Sequence, residues 1–232
     1  ASEDQWVAVL TGAGDKAFCA GGDVVSLHHA MAQGSASDLV EDFFTQEYRL
    51  DYLIHCYEKP LLVWGNGIVM GGGLGLMAGA SHRVVTETSR IAMPEQTIGL
   101  YPDVGGSYFL HKMPAHVGLF LGLTSASINC EDAKLVSLAD HFVNADKYPE
   151  LVEALLSIKW GKTASLNHEK LTTLLTDLDQ QSGRLPKGNI KANLATIQEL
   201  AEFTTLQQQV DYILHLNTDD KWLLKAQKSL KH

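Results

Sequence analysis

The sequence predicts a layered α/β fold, strands inside and helices outside, continued by a helical C-terminal region. Three observations predict it. Through the first half, short apolar runs bounded by turn residues alternate with glycine-rich loops and helical patterns. From about Tyr148 the strand signals stop and helical spacing recurs to the end. At 232 residues, 45% hydrophobic and 19% charged, the chain can bury a sizeable core.

Trp6 to Leu10 is a short apolar run followed by Thr11, Gly12, Ala13, Gly14 and Asp15, which reads as a buried strand and a turn. With nothing before it to pack against, it is either an edge strand or the start of a chain lying inside a larger fold. Gly21, Gly22 and Asp23 follow in KAFCAGGDVVSL. Paired glycines there let the backbone approach a ligand and leave N–H groups pointing outward. The same residues also make a tight turn with Asp23 as a helix N-cap. Neither glycine spacing typical of phosphate-binding loops is met.

From about Ser35 to Tyr57, Leu39, Phe43, Phe44, Leu50, Leu53 and Ile54 recur at helical spacing among Glu41, Asp42, Glu47 and Arg49, an amphipathic helix with room for a break. Lys59 and Pro60 end it, and Leu61 to Trp64 is the next buried strand. Gly65 to Ala80 reads as a loop feeding a buried helix. Gly71, Gly72 and Gly73 would each weaken a helix by ~1 kcal/mol relative to Ala. Close packing on a neighbouring strand explains them, and so does a glycine N–H converging with one from the first loop on a single oxygen.

Arg83 to Thr86 and Arg90 to Ala92 read as strand, turn, strand. They lead into MPEQTIGLYPDVGG, Met93 to Gly106, where Gly99 and Pro102 argue against a continuous helix. This loop carries Glu95 and Asp103. Doubling back, it can bring both carboxylates to one cleft, where burial and repulsion raise the pKa of one and suit it to acid or base work. Further on, His116 to Leu123 is apolar, Thr124 to Ala133 is a loop with an extended piece, a helix lies around Asp132 to Leu138, and Ala139 to Val143 is a last strand. Helical patterns follow at Leu151–Trp160, His168–Leu178, Ile190–Phe203, Leu206–Leu216 and Lys221–Leu230, with Ser182 to Asn189 as a linker. The expected division is a core over 1–143 and a helical region over 144–232.

A net charge of −9 with no run of Lys or Arg excludes a nucleic-acid groove or an anionic membrane surface as the expected partner. No apolar run is long and unbroken enough to span a bilayer. The first residues lack the basic and small-residue pattern of a secretory signal. Cys19, Cys56 and Cys130 are an odd number at irregular spacing, which points to a reducing compartment, the cytoplasm by default. The ten histidines show no paired metal-ligand spacing, His28 and His29 read as helix-surface residues, and no metal is expected. Cys19 has no His beside it in sequence and reads as a packing residue.

KAFCAGGDV, GIVMGGGLGL and MPEQTIGLYPDVGGSYFL, in this order and spacing, resemble the crotonase (enoyl-CoA hydratase/isomerase) superfamily, and within it the 3-hydroxyisobutyryl-CoA hydrolase branch. The resemblance covers roughly Trp6 to Val143. It implies a crotonase-like spiral of ββα repeats, here without the first repeat, and an acyl-CoA substrate, with coenzyme A entering as part of that substrate and no separate cofactor. By motif position it implies an oxyanion hole from the N–H groups of Gly22 and Gly72, with Ala20, Gly21 and Asp23 in the substrate loop. Hydratases use two glutamates. The first of those positions is Gly75 here, and the second is Glu95. The hydrolase branch carries an Asp eight residues after that Glu, matched by Asp103, and a helix glutamate matched by Glu47 in DFFTQEYRL. The implied activity is hydrolysis of a short 3-hydroxyacyl-CoA. A hydratase or isomerase, or a non-catalytic acyl-CoA-binding module, are the alternatives. Trimers or pairs of trimers are frequent in the superfamily, so a homo-oligomer is one expected partner state and a monomer covered by the C-terminal helices the other.

Overall fold

The computed structural model describes residues 5–32 and 36–231. Ser35, the expected start of the second helix, lies outside them. Strands β1 (Ala8–Thr11), β3 (Leu61–Gly65), β5 (His82–Val85) and β7 (His141–Phe142) form one parallel sheet in that order. Strands β2 (Ala17–Cys19), β4 (Ile68–Met70) and β6 (Arg90–Ala92) form a second parallel sheet. Successive strands alternate between the two sheets, and a helix or loop closes each turn. That alternation is the ββα spiral.

The first turn is closed by α1 (Val24–Ala32) and α2 (Ala36–His55), the second by α3 (Gly72–Gly79), and the third by a 3₁₀ turn (Glu95–Ile98) and α4 (Gly106–His111). Helices α5 (Val117–Thr124) and α6 (Cys130–Leu135) lead to β7. Then come α7 (Tyr148–Ser157), α8 (Ala164–Gln181), α9 (Ile190–Gln198), α10 (Leu206–His215) and α11 (Lys221–Ser229).

Leu61 to Gly65 is buried throughout because its sheet is covered on both faces. Leu62 and Trp64 pack with Val84 on Leu151, Leu155, Leu171 and Leu175 of α7 and α8. Leu61 and Val63 turn the other way, into a core shared with Val69, Ile91, Phe120 and Phe142. Ile190, Ile197, Ile213 and Trp222 of the C-terminal helices belong to that same core. Asp132, buried in α6, accepts from the N–H groups of Asn189 and Ile190 at 2.9 Å each, so a side chain from the core caps α9.

Two sequence expectations change. The Trp6 to Leu10 run becomes an edge strand over Ala8–Thr11, with alternating rather than complete burial, because among the described residues only β3 pairs with it. β5 and β6 are the strand, turn, strand that the sequence predicts, and they belong to different sheets. Gly65 to Ala80 is not only a loop and a helix, because it holds β4. In α2 the apolar stripe is incompletely covered: Leu50 and Leu53 line an exposed apolar cleft with Ala8, Leu10 and Leu76.

His82 is 4% exposed, its ring nitrogens 3.0 Å from Ser81 Oγ and Thr172 Oγ1 and its ring stacked on His168. Burial, and then His168, push its pKa from 6.5 to about 4. The unfolded chain therefore takes up a proton at His82 before the folded one does. Its contribution is complete above pH 6.5 and is lost as pH falls toward about 4. Thermal unfolding of the protein is expected to drop through that window, and the slope to flatten in His82→Gln. An unchanged slope in the variant would refute the assignment.

Candidate active site

The carbonyl ends of β2, β4 and β6 feed three loops that meet. After β2 the chain passes Ala20, Gly21 and Gly22, and Gly21 takes φ 101°, where a side chain is strained. After β4, Gly71 takes φ 54° and turns directly into α3. A Cβ on Gly21 would lie 3.7 Å from Gly72 N, so the two glycine loops touch. Gly22 N and Gly72 N donate to no protein group among the described residues. Gly72 opens α3, so its N–H precedes the intrahelical ladder. Ala20, Gly21, Gly22, Gly71 and Gly72 line one side of a cavity of about 190 Å³.

The opposite side is acidic. Glu95 opens the 3₁₀ turn after β6, and Gly99, at φ 78°, ends that turn by donating its N–H to Gln96 O and Glu95 O. Glu95 is 6% exposed, its Oε1 would be 2.8 Å from a Cβ on Gly71, and its Oε2 has no hydrogen-bond partner. Burial, reinforced by the charges of Asp103 and Glu47, pushes its pKa up to about 7 against its own backbone N–H, which lowers it. Glu47 reaches in from α2 so closely that a Cβ on Gly72 would collide with its carboxylate. Burial, then Asp103, raises its pKa. Two consecutive glycines are thus each covered by a carboxylate. Asp103 completes the wall and accepts from Tyr48 Oη at 2.8 Å. That bond, after burial, holds the Tyr48 hydroxyl protonated well above its ordinary range.

Of the residues expected from sequence, Ala20, Gly21, Gly22, Glu47, Gly72, Glu95 and Asp103 all line this one cavity. Asp23 does not. Its carboxylate accepts from Ser26 N at 3.0 Å and Ser26 Oγ at 2.7 Å, which makes it a cap for α1. Cys19 packs in β2, where its carbonyl lies against Gly73. His28 and His29 are exposed on α1, and no cluster of three or more metal-ligating side chains occurs among the described residues.

Sequence reading missed three contributors. Tyr48 orients Asp103. Gln96 donates to Ser229 Oγ at 2.7 Å, which ties the carboxylate loop to the end of α11. Asp51 lies one turn beyond Glu47 on α2, with both carboxylate oxygens buried and unpartnered. Burial, then Glu47 and Asp103, raise its pKa to about 7. The i, i+4 spacing of Glu47 and Asp51 was visible in the sequence, but on an amphipathic helix it reads as two solvated charges.

Asp51 gives a stability prediction. Its folded pKa lies above the unfolded value of 3.8, so it stabilises fully below pH 3.8 and that contribution is lost as pH rises to about 7. Asp51→Asn, which cannot ionise, should gain on the parent over that window. Allowing for solvent screening, the gain at pH 7.5 is ~1 kcal/mol, or roughly 2–4 °C in Tm. A Tm difference that is the same at pH 4.5 and pH 7.5 would contradict it.

The family model described as Enoyl-CoA hydratase/isomerase matches residues 1–232. The chain is 43% identical over 157 residues to a protein of Xenopus tropicalis named 3-hydroxyisobutyryl-CoA hydrolase, mitochondrial, which covers 67% of this chain and 40% of that one. It is 42% identical over 153 residues to small ribosomal subunit protein mS47 of Neurospora crassa, covering 66% of this chain and 30% of that protein. Among solved structures it superimposes on an enoyl-CoA hydratase from Rhodobacter sphaeroides 2.4.1 with a TM-score of 0.78 at 34% identity, over 97% of this chain and 60% of the other. A carnitinyl-CoA dehydratase from Mycobacterium thermoresistibile gives a TM-score of 0.79 at 33% identity, over 97% of this chain and 61% of the other. The chain spans 40% of the length of the Xenopus relative. A spiral of parallel strands, three motif loops converging on one cavity and a family match along the whole chain lead to one conclusion: the chain belongs to the enoyl-CoA hydratase/isomerase (crotonase) family.

Proposed function

We propose that this protein hydrolyses the thioester of a short 3-hydroxyacyl-CoA, with 3-hydroxyisobutyryl-CoA as the best candidate. The observation that carries the reading is Glu95, a buried carboxyl with one unpartnered oxygen, set over Gly71 with Asp103 on the same cavity. The 43% identity to a protein named for this hydrolysis supports the choice of substrate.

In the proposed reaction the thioester oxygen lies between Gly22 N–H and Gly72 N–H. Attack on the carbonyl drives negative charge onto that oxygen, where two fixed donors stabilise it more than they stabilise the ground state. Glu95, as a carboxylate, either takes a proton from the attacking water or attacks the carbonyl itself, giving an acyl anhydride that water then opens. In the first route the C–S bond breaks once water has added, and the thiolate takes up water's proton; in the second it breaks as the anhydride forms, and the thiolate takes its proton from water, whose hydroxide then opens the anhydride. Asp103, held by Tyr48, and Glu47 bind the 3-hydroxyl or relay that proton. Coenzyme A is part of the substrate, and the division into a core over 1–143 and a helical cover over 144–232 is part of this proposal.

Two solved relatives are named as a hydratase and a dehydratase, which favours water addition as a second reading. Gly75 weighs against it, because a side chain there would strike Val104. A relative named as a ribosomal protein favours a third, non-catalytic reading. Parallel assays on the full-length protein separate the three: 3-hydroxyisobutyryl-CoA followed by free thiol, and crotonyl-CoA by loss of enoyl absorbance. Hydrolysis predicts thiol from the first and no change in the second. Enoyl loss without thiol would replace the proposal with hydration, and silence in both would leave the binding module. The compartment proposed is a reducing one, in keeping with three free cysteines; the Xenopus relative is named mitochondrial.

A further inference from the structure

Asp103 to Gly106 is a tight turn closed by Gly106 N donating to Asp103 O at 2.6 Å. Both central residues have positive φ, 44° at Val104 and 84° at Gly105. Such a turn takes Asn or Gly at its first central position, and a β-branched residue there is an outlier. Val104 is the single β-branched residue with positive φ among the described residues; the others without glycine's freedom are Ala115, His116, Ser125 and Ser137. The strain falls on the residue next to Asp103.

What the valine does there is visible on its other side. It is 4% exposed and packs directly on α3 at Gly75. A Cβ on Gly75 would lie 2.5 Å from Val104 Cβ, 2.8 Å from its Cγ2 and 3.0 Å from its carbonyl oxygen, so only glycine fits. The turn is therefore clamped. Val104 fixes it to α3, while Asp103, one residue earlier, is fixed to α2 through Tyr48 at 2.8 Å. Strained residues of this kind persist where the surroundings over-determine them, and they concentrate at functional sites.

We infer that Val104 is a positioning residue: wedged on Gly75 in a strained turn, it aims the Asp103 carboxylate into the cavity. This rests on the proposed hydrolysis only for its activity readout. Val104→Gly relaxes the turn and removes the wedge. The expected result is a fall in kcat for thiol release of about tenfold to a hundredfold with KM within about twofold, since displacing one group by an ångström acts on the chemical step. Val104→Thr, which keeps the wedge shape, restores kcat to within about threefold of the parent.

A double-substitution cycle adds a second readout. Gly75→Ala should lower both Tm and kcat in the parent and cost much less in Val104→Gly, where the Cβ and Cγ2 collisions are gone and the 3.0 Å contact with the backbone carbonyl remains. If Val104→Gly does not fold, Val104→Ala replaces it in the kcat comparison alone, because its Cβ keeps the 2.5 Å collision with Gly75→Ala. Parental kcat in Val104→Gly, or the same Gly75→Ala loss in both backgrounds, would overturn the inference. A parent that releases no thiol refutes the hydrolase reading instead, and the Tm cycle then decides the wedge by itself.

Discussion

Glu95→Gln is expected to lower kcat for thiol release by a factor of about 10² to 10⁴, the range for removal of a positioned acid or base. The amide keeps the size of the side chain, so the cavity and the contact over Gly71 survive. What is lost is the carboxylate, the one form able to take a proton from water or attack the carbonyl. The fold should tolerate the change. A buried carboxyl with an unpartnered oxygen and a pKa of about 7 adds nothing to stability near neutrality, so Tm should hold or rise while the rate collapses. Rate and Tm falling together would assign Glu95 to structure rather than chemistry.

Gly72→Ala should have the next largest effect, a loss of about 10² to 10³ in kcat/KM, comparable to removing an oxyanion donor. Gly72 opens α3 without a positive φ, so the backbone accepts Ala and the helix gains slightly. Its new methyl group meets the Glu47 carboxylate, the end of a flexible side chain that can give way. The outcome is a folded protein with a carboxylate displaced and a methyl group in the cavity. Kinetics beside a thermal melt checks it, and wild-type kcat/KM in Gly72→Ala would remove Gly72 from the site. Gly22→Ala differs in kind, because its Cβ would run into the Phe43 ring.

How much of this was legible in the sequence depended on how far each signal reached along the chain. β3 and α8 were plain because a run of five buried residues and an 18-residue helix carry their own periodicity. β2 and β4 span three residues each, too few for a period of two to show beside glycines, and they exist because each finds a parallel partner. The Glu95 and Asp103 loop was legible because Gly99 and Pro102 break any helix between them. The burial of Asp51 was not, since only the packing of α2 beside α3 turns a helix-surface charge into an unpartnered one. Asp23 shows the reverse: a motif position next to the glycine pair is occupied by capping, a local role the composition of the loop already permitted. The bond from Gln96 to Ser229 joins residues too distant in sequence for any local pattern to link, and it gives the C-terminal helices a part in holding the site.

The central claim is that Glu95 acts as a carboxylate whose pKa is raised by burial and by its acidic neighbours. The measurement that meets it most directly is the pH dependence of kcat/KM for thiol release from 3-hydroxyisobutyryl-CoA, in parent and Glu95→Gln side by side. The account predicts a parental rate that rises through an ionisation at about pH 7 and levels above it, with that rise absent from the variant's residual activity. A parental rate flat from below pH 6 to above pH 8, or the same rise persisting in Glu95→Gln, would contradict it.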